Sequence, residues 1–468
     1  MAASSETLSL NTVPVLVSTI PFEWSNLSAE GAHGTPIKQL TLPQCVQMAI
    51  HRATSVLKAR NAVDTSGTQL AQAYFEFLPD LNADANYAYA TGRNYETLAT
   101  PTFINTTNHG GGYEVTSSLN IFNGLSDLSS LRSSLQRRRY AHLSLKRAQQ
   151  QIILDVTQAY LQVLLDRQIV QFAQANLNAS RSRQKLLDAQ TQVGIRSLAD
   201  LYRQQAQTSA DELTFINSLN RARTDLIFLV RRIRVDLLDR YDVSDAALDE
   251  RPAINPYADE RALVATALQE RADLEARQSL ARATGWDVVT ARSGYFPRID
   301  AFGRMEGTGS VLDKQVVNGV NVVPPEQRSL AHQWGSEILY SAGVTLTWGL
   351  FNRYLTRLSV ARAQEAEKDA GLDAEDEHLL VEGEVEQAAS DYSAVLDQLK
   401  SADAGLRAAR ESFAAVEARY QVGASSIVDL LTAQSALLQA ETAQAQARIG
   451  LTLQNRTMQF ALGTLPVQ

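Results

Sequence analysis

The chain has 468 residues, of which 45% are hydrophobic and 20% charged, with a formal net charge of −8. Its length is more than one ordinary compact core uses, and its composition excludes a disordered or collagen-like chain. The acidic balance excludes nucleic acid as the main partner, because a phosphate-binding face needs clustered lysine and arginine.

The opening residues, MAASSETLSLNTVPVLVSTIPF, lack the basic start and long apolar stretch of a signal peptide. They read as part of a cytosolic chain, or of one whose leader has been removed, and 1–40 is taken as an N-terminal extension. The single cysteine, Cys45, excludes an intrachain disulfide and a multi-cysteine metal site. It follows TLP at the start of an apolar-periodic segment and reads as a buried small side chain. No apolar run reaches the roughly 18 residues of a membrane helix.

A helical pattern covers 42–77 and closes at Pro79, since proline cannot continue a helix. DLNADANYAYAT then sets Leu81, Ala83, Ala85, Tyr87 and Tyr89 against Asn82, Asp84, Asn86 and Ala88. That is the period of a strand, about 80–91, with one apolar face. NTTNHGGG reads as a polar, glycine-rich loop. A second strand, about 113–122, sets Val115, Ser117, Leu119 and Ile121 against Thr116, Ser118 and Asn120. Strands of about ten residues are long enough to cross a bilayer when tilted. Apolar residues then step by three and four through Leu145, Ala148, Ile152, Val156, Ala159 and Val163, with no proline between 124 and 251. The pattern predicts one helix over about 125–192, roughly 100 Å long at about 1.5 Å per residue. Such a helix must pack alongside others, as in a coiled coil. Arg137, Arg138 and Arg139 lie within it and read as a solvated face. The chain reverses over 192–197, returns as helix to about 232, and continues through a segment at 233–255.

The second half repeats the first. QTQVGIRSLADL, from Gln190, is matched by RYQVGASSIVDL, from Arg419. Gly194 and Gly423, Asp200 and Asp429, and Phe122 and Phe351 are all 229 residues apart. Pro79 and Pro297 are 218 apart, which places an 11-residue insertion between Pro297 and Phe351. The chain is therefore two copies of one unit, 41–250 and 256–468, and the period is too long for a solenoid of short repeats. In the second copy the predicted strands are about 298–308 and 340–350, with Ala342, Val344, Leu346 and Trp348 on one face. A helix over about 353–421, a tip at 421–426 and a return helix to about 462 follow. Four strands close no barrel, and an amphipathic strand cannot end at an open edge in a membrane. Several copies must contribute.

This order of elements resembles the TolC family of outer-membrane efflux channels. The resemblance runs from Leu42 to Leu465. It rests on LTL at 40–42, the paired LP and FP strand starts, the paired FN strand ends, both QVG hairpins and ALGTL at 461–465. It implies a mainly α chain with a membrane β-barrel. Three copies would form one twelve-stranded barrel in the Gram-negative outer membrane, continued by a long periplasmic α-helical barrel. A belt would use 233–259 and residues 1–40. The implied role is passive export, as the exit duct of a tripartite pump for drugs or other small molecules. An inner-membrane pump of the RND or ABC type would reach it through a periplasmic adaptor, the membrane fusion protein. The outer-membrane component of a type I protein secretion system is the alternative within the class. No cofactor or metal is implied.

Carried residue by residue, the resemblance has Leu81, Ala83, Tyr87, Val344, Leu346 and Trp348 facing outer-membrane lipid. The tips, Gln192, Val193, Gly194, Gln421, Val422 and Gly423, would close the resting tunnel and meet the adaptor. Asp429 would face the lumen in a selectivity ring, with Thr432 where a second carboxylate often follows. Asp200 and Tyr420 match positions that hold the closed state by polar contacts between copies. The usual basic partner falls at Ser425, which makes no salt bridge. Either aspartate would also favour the first turn of the returning helix.

Two rivals come from other classes. An enzyme is disfavoured: the six histidines form no i,i+4 pair and no HExxH motif, and no phosphate loop or nucleophile elbow is present. A soluble coiled-coil scaffold would explain the long helices but not four one-sided strands.

Overall fold

A computed structural model describes residues 38–96, 102–237, 239–244 and 259–467. Most of the 1–40 extension, and 245–258 of the segment expected to form the belt, lie outside the described residues. In chain order the elements are β1 (Lys38–Leu40), α1 (Leu42–Arg52), α2 (Thr54–Phe75), β2 (Asn82–Glu96), β3 (Thr102–Phe122), α3 (Ser126–Gln192) and α4 (Leu198–Arg232). There follow β4 (Tyr241–Val243), α5 (Glu260–Glu270), α6 (Ala272–Arg292), β5 (Arg298–Val317), β6 (Val320–Val322), α7 (Leu330–Ser336), β7 (Ile338–Thr347), α8 (Leu355–Gln421) and α9 (Ile427–Ala461). They divide into two compact units. One draws on Met1–Ala53, Ile152–Pro252 and Tyr392–Asn455, the other on Thr54–Gln151, Ala253–Asp391 and Arg456–Gln468.

The second unit holds an antiparallel sheet in which β2, β3 and β5 lie in order, with β7 and β6 on successive stretches of the far edge of β5. Its strands run beyond the sequence expectation. NTTNHGGG, read as a loop, is strand: Asn105 to Gly112 pair with β2 on one side and β5 on the other. The glycines serve close approach rather than a turn. A Cβ on Gly111 would sit 2.0 Å from the Asn86 carbonyl oxygen, and one on Gly110 2.5 Å from that of Gly309.

The second hairpin, which carries the 11-residue insertion, has a different end. β7 pairs with β5 only over Arg298–Gly307, and β6 only over Gln315–Val317. Between them the backbone of β5 is met by side-chain amides. Gln333 accepts from Ser310 N at 2.9 Å and donates to Ser310 O at 3.2 Å. Gln327 does the same at Leu312, at 2.7 and 2.9 Å. Two carboxamides thus replace a strand on an edge that would otherwise be open. Trp334 donates to Gly111 O, and a Cβ on Gly309 would come within 3.2 Å of its ring, a tight approach.

In the same unit, the break between α5 and α6 falls at Arg271, the position matched by Ala53 in the first repeat. The Arg271 side chain is 1% exposed and is paired with Asp273 and Glu384. Burial opposes the charge on Asp273, but the Arg271 hydrogen bond and the Arg147 and Arg271 charges outweigh it and hold the carboxyl below its ordinary range. Leu274, Val381, Val385, Met458 and Leu462 form the adjoining apolar core. Of the basic run, Arg137 pairs with Asp287 and Arg139 with Glu275 on α6, all of them partly exposed.

In the first unit, β1 pairs in parallel with β4. Tyr160 of α3 donates to the Leu40 and Ser244 carbonyls at 3.1 and 2.6 Å. Cys45 is buried, and burial pushes its thiol up to about 12, which leaves it protonated and unreactive.

Candidate functional site

The repeated motif builds two hairpin tips by one set of local bonds. Gly194 has φ of 78° and Gly423 of 80°, a conformation glycine enters without a Cβ penalty. At the end of α3, Gly194 N donates to Thr191 O and Ile195 N to Gln190 O, at 3.0 and 2.8 Å. At the end of α8, Gly423 N donates to Tyr420 O and Ala424 N to Arg419 O, at 3.1 and 2.8 Å. Both are Schellman caps, which satisfy the last helical carbonyls. The serine three residues after each glycine then caps the next helix. Ser197 Oγ accepts from Asp200 N at 3.1 Å, and Ser426 Oγ accepts from Asp429 N at 3.2 Å. The spacing glycine, serine, aspartate is thus one helix end followed by one helix start.

The two aspartates then differ. Asp429 returns the bond, accepting from Ser426 N at 3.1 Å, Ser426 Oγ at 2.8 Å and Ser425 Oγ at 3.1 Å, a reciprocal cap. Those bonds, the Ser426 hydroxyl first, hold its carboxyl below the ordinary range, so it is ionised near neutral pH. Asp200 is instead 3.9 Å from Arg203 Nη1 on its own helix. The Thr432 hydroxyl donates to Val428 O at 2.8 Å within α9.

Tyr420 is buried with Leu187, Leu201, Ile427 and Leu430 beneath the tips. The guanidinium of Arg196 lies 4.7 Å from its ring centroid and donates to its carbonyl at 3.3 Å. Arg196 stands 229 residues before Ser425, so the basic side chain missing from the second tip is present on the first. The match between the two copies sets Arg196 against Ser425, but its contact with Tyr420 depends on the fold. The tips also expose apolar side chains beyond the expected ones: Ile195 is 69% exposed beside Val193 at 70%, and Val422 is 79% exposed.

In the sheet, the ladder registers sort residues by face. Ala83 lies opposite Val115, which lies opposite Met305; Leu119 opposite Ala301, which lies opposite Val344; and Leu346 opposite Ile299. Tyr87 shares that face, opposite Gly111. Asp84, Glu114 and Glu306 lie in line on the other face, with Thr345, Asp300 and Asn120. There Arg304 pairs with Glu114 at 3.2 Å and Asn120 donates to Asp300 at 3.0 Å. Two residues expected to face lipid, Leu81 and Trp348, lie just outside the strands. Asp80 takes the Ser118 amide and hydroxyl on its side chain, and the regular ladder begins after Leu81, at Asn82. Pro297 has no N–H to offer, so pairing stops at Arg298 and Thr347, one residue short of Trp348. Trp348 instead donates to Tyr295 O at 3.2 Å.

Among the described residues, no helix is long and apolar enough to cross a membrane, and no cluster of three or more potential ligands could hold a metal ion. The sequence profile of the family "Outer membrane efflux protein" matches residues 45–232 and 263–464, one stretch in each repeat. The chain belongs to the outer membrane efflux protein family. As such it is an efflux channel of the Gram-negative outer membrane, a transport protein and not an enzyme. It is 24% identical to the outer membrane protein TolC of Salmonella enteritidis over 439 residues, 91% of this chain and 82% of that protein. The crystal structure of the Campylobacter jejuni CmeC outer membrane channel is similar with a TM-score of 0.75 and 16% identity, covering 96% of this chain and 94% of that one. VceC, an outer membrane protein of Vibrio cholerae, is similar with a TM-score of 0.74 and 15% identity, covering 90% and 96%. Membership of that family rules against the soluble scaffold.

Proposed function

We propose that three copies of this outer membrane efflux protein form one passive exit duct for small molecules, fed by an inner-membrane pump through a periplasmic adaptor. The reading is carried by the division of one sheet into an apolar face and a charged face, whose outer edges on β2 and β7 pair with no other strand among the described residues. Apolar residues on one face suit lipid, and charged residues on the other suit a wet lumen. Open edges are intolerable in a bilayer, so the strands of further copies must complete the barrel. The exposed apolar residues at both tips fit an adaptor, because a helical partner gains by covering them. We assign Gln192, Val193, Gly194, Gln421, Val422 and Gly423 to that contact. Arg196 takes the part of the basic residue absent at 425, holding Tyr420 within one copy.

Asp429 lies in the first turn of α9 and is ionised, so copies of it around a common axis would attract cations, as carboxylate rings do in cation channels. Planar-bilayer recordings test this. The isolated channel is expected to prefer cations and to be blocked by a multivalent cation added on the tip side. Asp429→Ala should weaken both preference and block, while Asp429→Asn, which keeps the Ser426 cap acceptor, should weaken them equally. Unchanged block in both variants would leave Asp429 as a helix cap alone.

A further inference from the structure

Along the first hairpin, α3 and α4 meet on a seam that steps by seven residues. Asp166, Ala173, Ser180 and Leu187 are all buried on α3, and Gln204 and Asp211 on α4. A seven-residue step is the seam of a coiled coil. One polar rung is satisfied internally, for the Ser180 hydroxyl donates to Asp211. Two seven-residue steps away, the corresponding rung holds two carboxyls, Asp166 and Asp225, on either side of Arg221 Nε at 3.4 and 3.9 Å.

The side chain of Asp166 is 2% exposed. Its Oδ1 accepts from Gln162 Nε2 at 3.1 Å and lies 3.4 Å from Arg221 Nε, on a side chain that is mostly in solvent. Its Oδ2 is buried and has no hydrogen-bond donor among the described residues. The charged groups that face this carboxyl are Asp225 and Arg221, both on α4. With both aspartates ionised, like charges would adjoin with the Asp166 carboxylate out of water and a buried oxygen would go unsatisfied, both of which cost stability. One proton between them removes both penalties. Burial, and then the Asp225 carboxyl, push Asp166 up to about 7. Asp225 also lines a cleft of about 370 Å³ with Asp155, Gln162, Phe228 and Arg232, through which the proton can reach solvent.

We propose that Asp166 and Asp225 share one proton and form an acid-favoured clamp across the α3–α4 hairpin. In the closed rung the protonated carboxyl of one donates to the carboxylate of the other. Deprotonation releases the proton to solvent through the cleft and leaves two anions beside one guanidinium. Because the folded-state value lies above the ordinary aspartate range, the stabilisation is complete below about pH 4. It is lost as pH rises through about 7. The second repeat carries no such device: 229 residues on, the same positions are Val395 and Gln454. The two hairpins of one channel therefore answer differently to the same change of pH.

Difference infrared spectroscopy of the full-length channel in detergent tests the shared proton. A protonated-carboxyl band should titrate near pH 7 in the wild type and be missing in Asp166→Asn. Hydrogen exchange, corrected for the intrinsic rate, tests the clamp. Peptides of α4 around Asp225 should be several-fold better protected near pH 6 than near pH 8, and peptides of α9 around Gln454 should not change. Asp166→Asn donates without titrating, so its α4 peptides should stay protected at both values. A missing band in the wild type, a band that survives in Asp166→Asn, or equal pH response in α4 and α9 would overturn the proposal.

Discussion

Gly423→Trp is expected to abolish export while copies still assemble. Gly423 sits at φ 80° with nothing within 4 Å of where a Cβ would stand, so a side chain meets no obstacle inside the chain. Its cost to folding is the left-handed backbone, about 1–2 kcal/mol for an ordinary L-residue. That is too little to unfold a tip whose core includes Leu187, Leu201, Tyr420, Ile427 and Leu430. The indole would instead project beside Val422, on the surface assigned to the adaptor. Gly423→Asn separates the two effects, because asparagine tolerates this backbone without bulk. Export assays in cells, paired with mass measurement of the purified variants, should show loss with Trp and retention with Asn. Loss with both would trace the defect to the backbone, and retention with both would remove the tip from the docking surface.

Val344→Arg is expected to destabilise the assembled barrel by about 2–4 kcal/mol, the cost of a cation on a lipid face near the bilayer midplane. Val344 lies opposite Ala301 and in line with Leu119, midway between Tyr340 and Trp348 on the apolar face. Leu346→Arg, nearer the tryptophan, should cost less, since the penalty falls towards the interfaces. Thr345→Arg points to the face that holds Asp300 and Asn120 and should leave stability nearly unchanged while altering conductance. Unfolding from detergent or lipid, with denaturant, gives the order. A larger cost at Thr345 than at Val344 would reverse the two faces.

The family and the mainly helical fold with one-sided strands were legible because periods of two and of three to four repeat twice at fixed spacing. The hairpins were legible for the same reason: a glycine at the helix end and a serine three residues on dictate the reversal locally. What was hidden depends on partners distant in sequence. NTTNHGGG looks like a loop until β2 and β5 close on it, when its glycines become the condition for close packing. Gln327 and Gln333 look like loop polarity, and only the unpaired stretch of β5 between β7 and β6 gives them work. Arg271 stands where the first repeat has alanine, and its burial follows from carboxylates two and 113 residues away. Arg196 was obscured because its partner, Tyr420, lies 224 residues further along the chain. The Asp166–Asp225 rung could not be read from charge pattern, since a lone aspartate on a long helix is ordinarily solvated.

The mass of the purified protein in detergent, by light scattering corrected for bound detergent, tests most directly whether several copies build one duct. Three copies are expected, because the sheet formed by the described residues of one chain ends in open edges on β2 and β7, which further copies would pair. A stable single copy, folded and soluble with those edges unpaired, would contradict it.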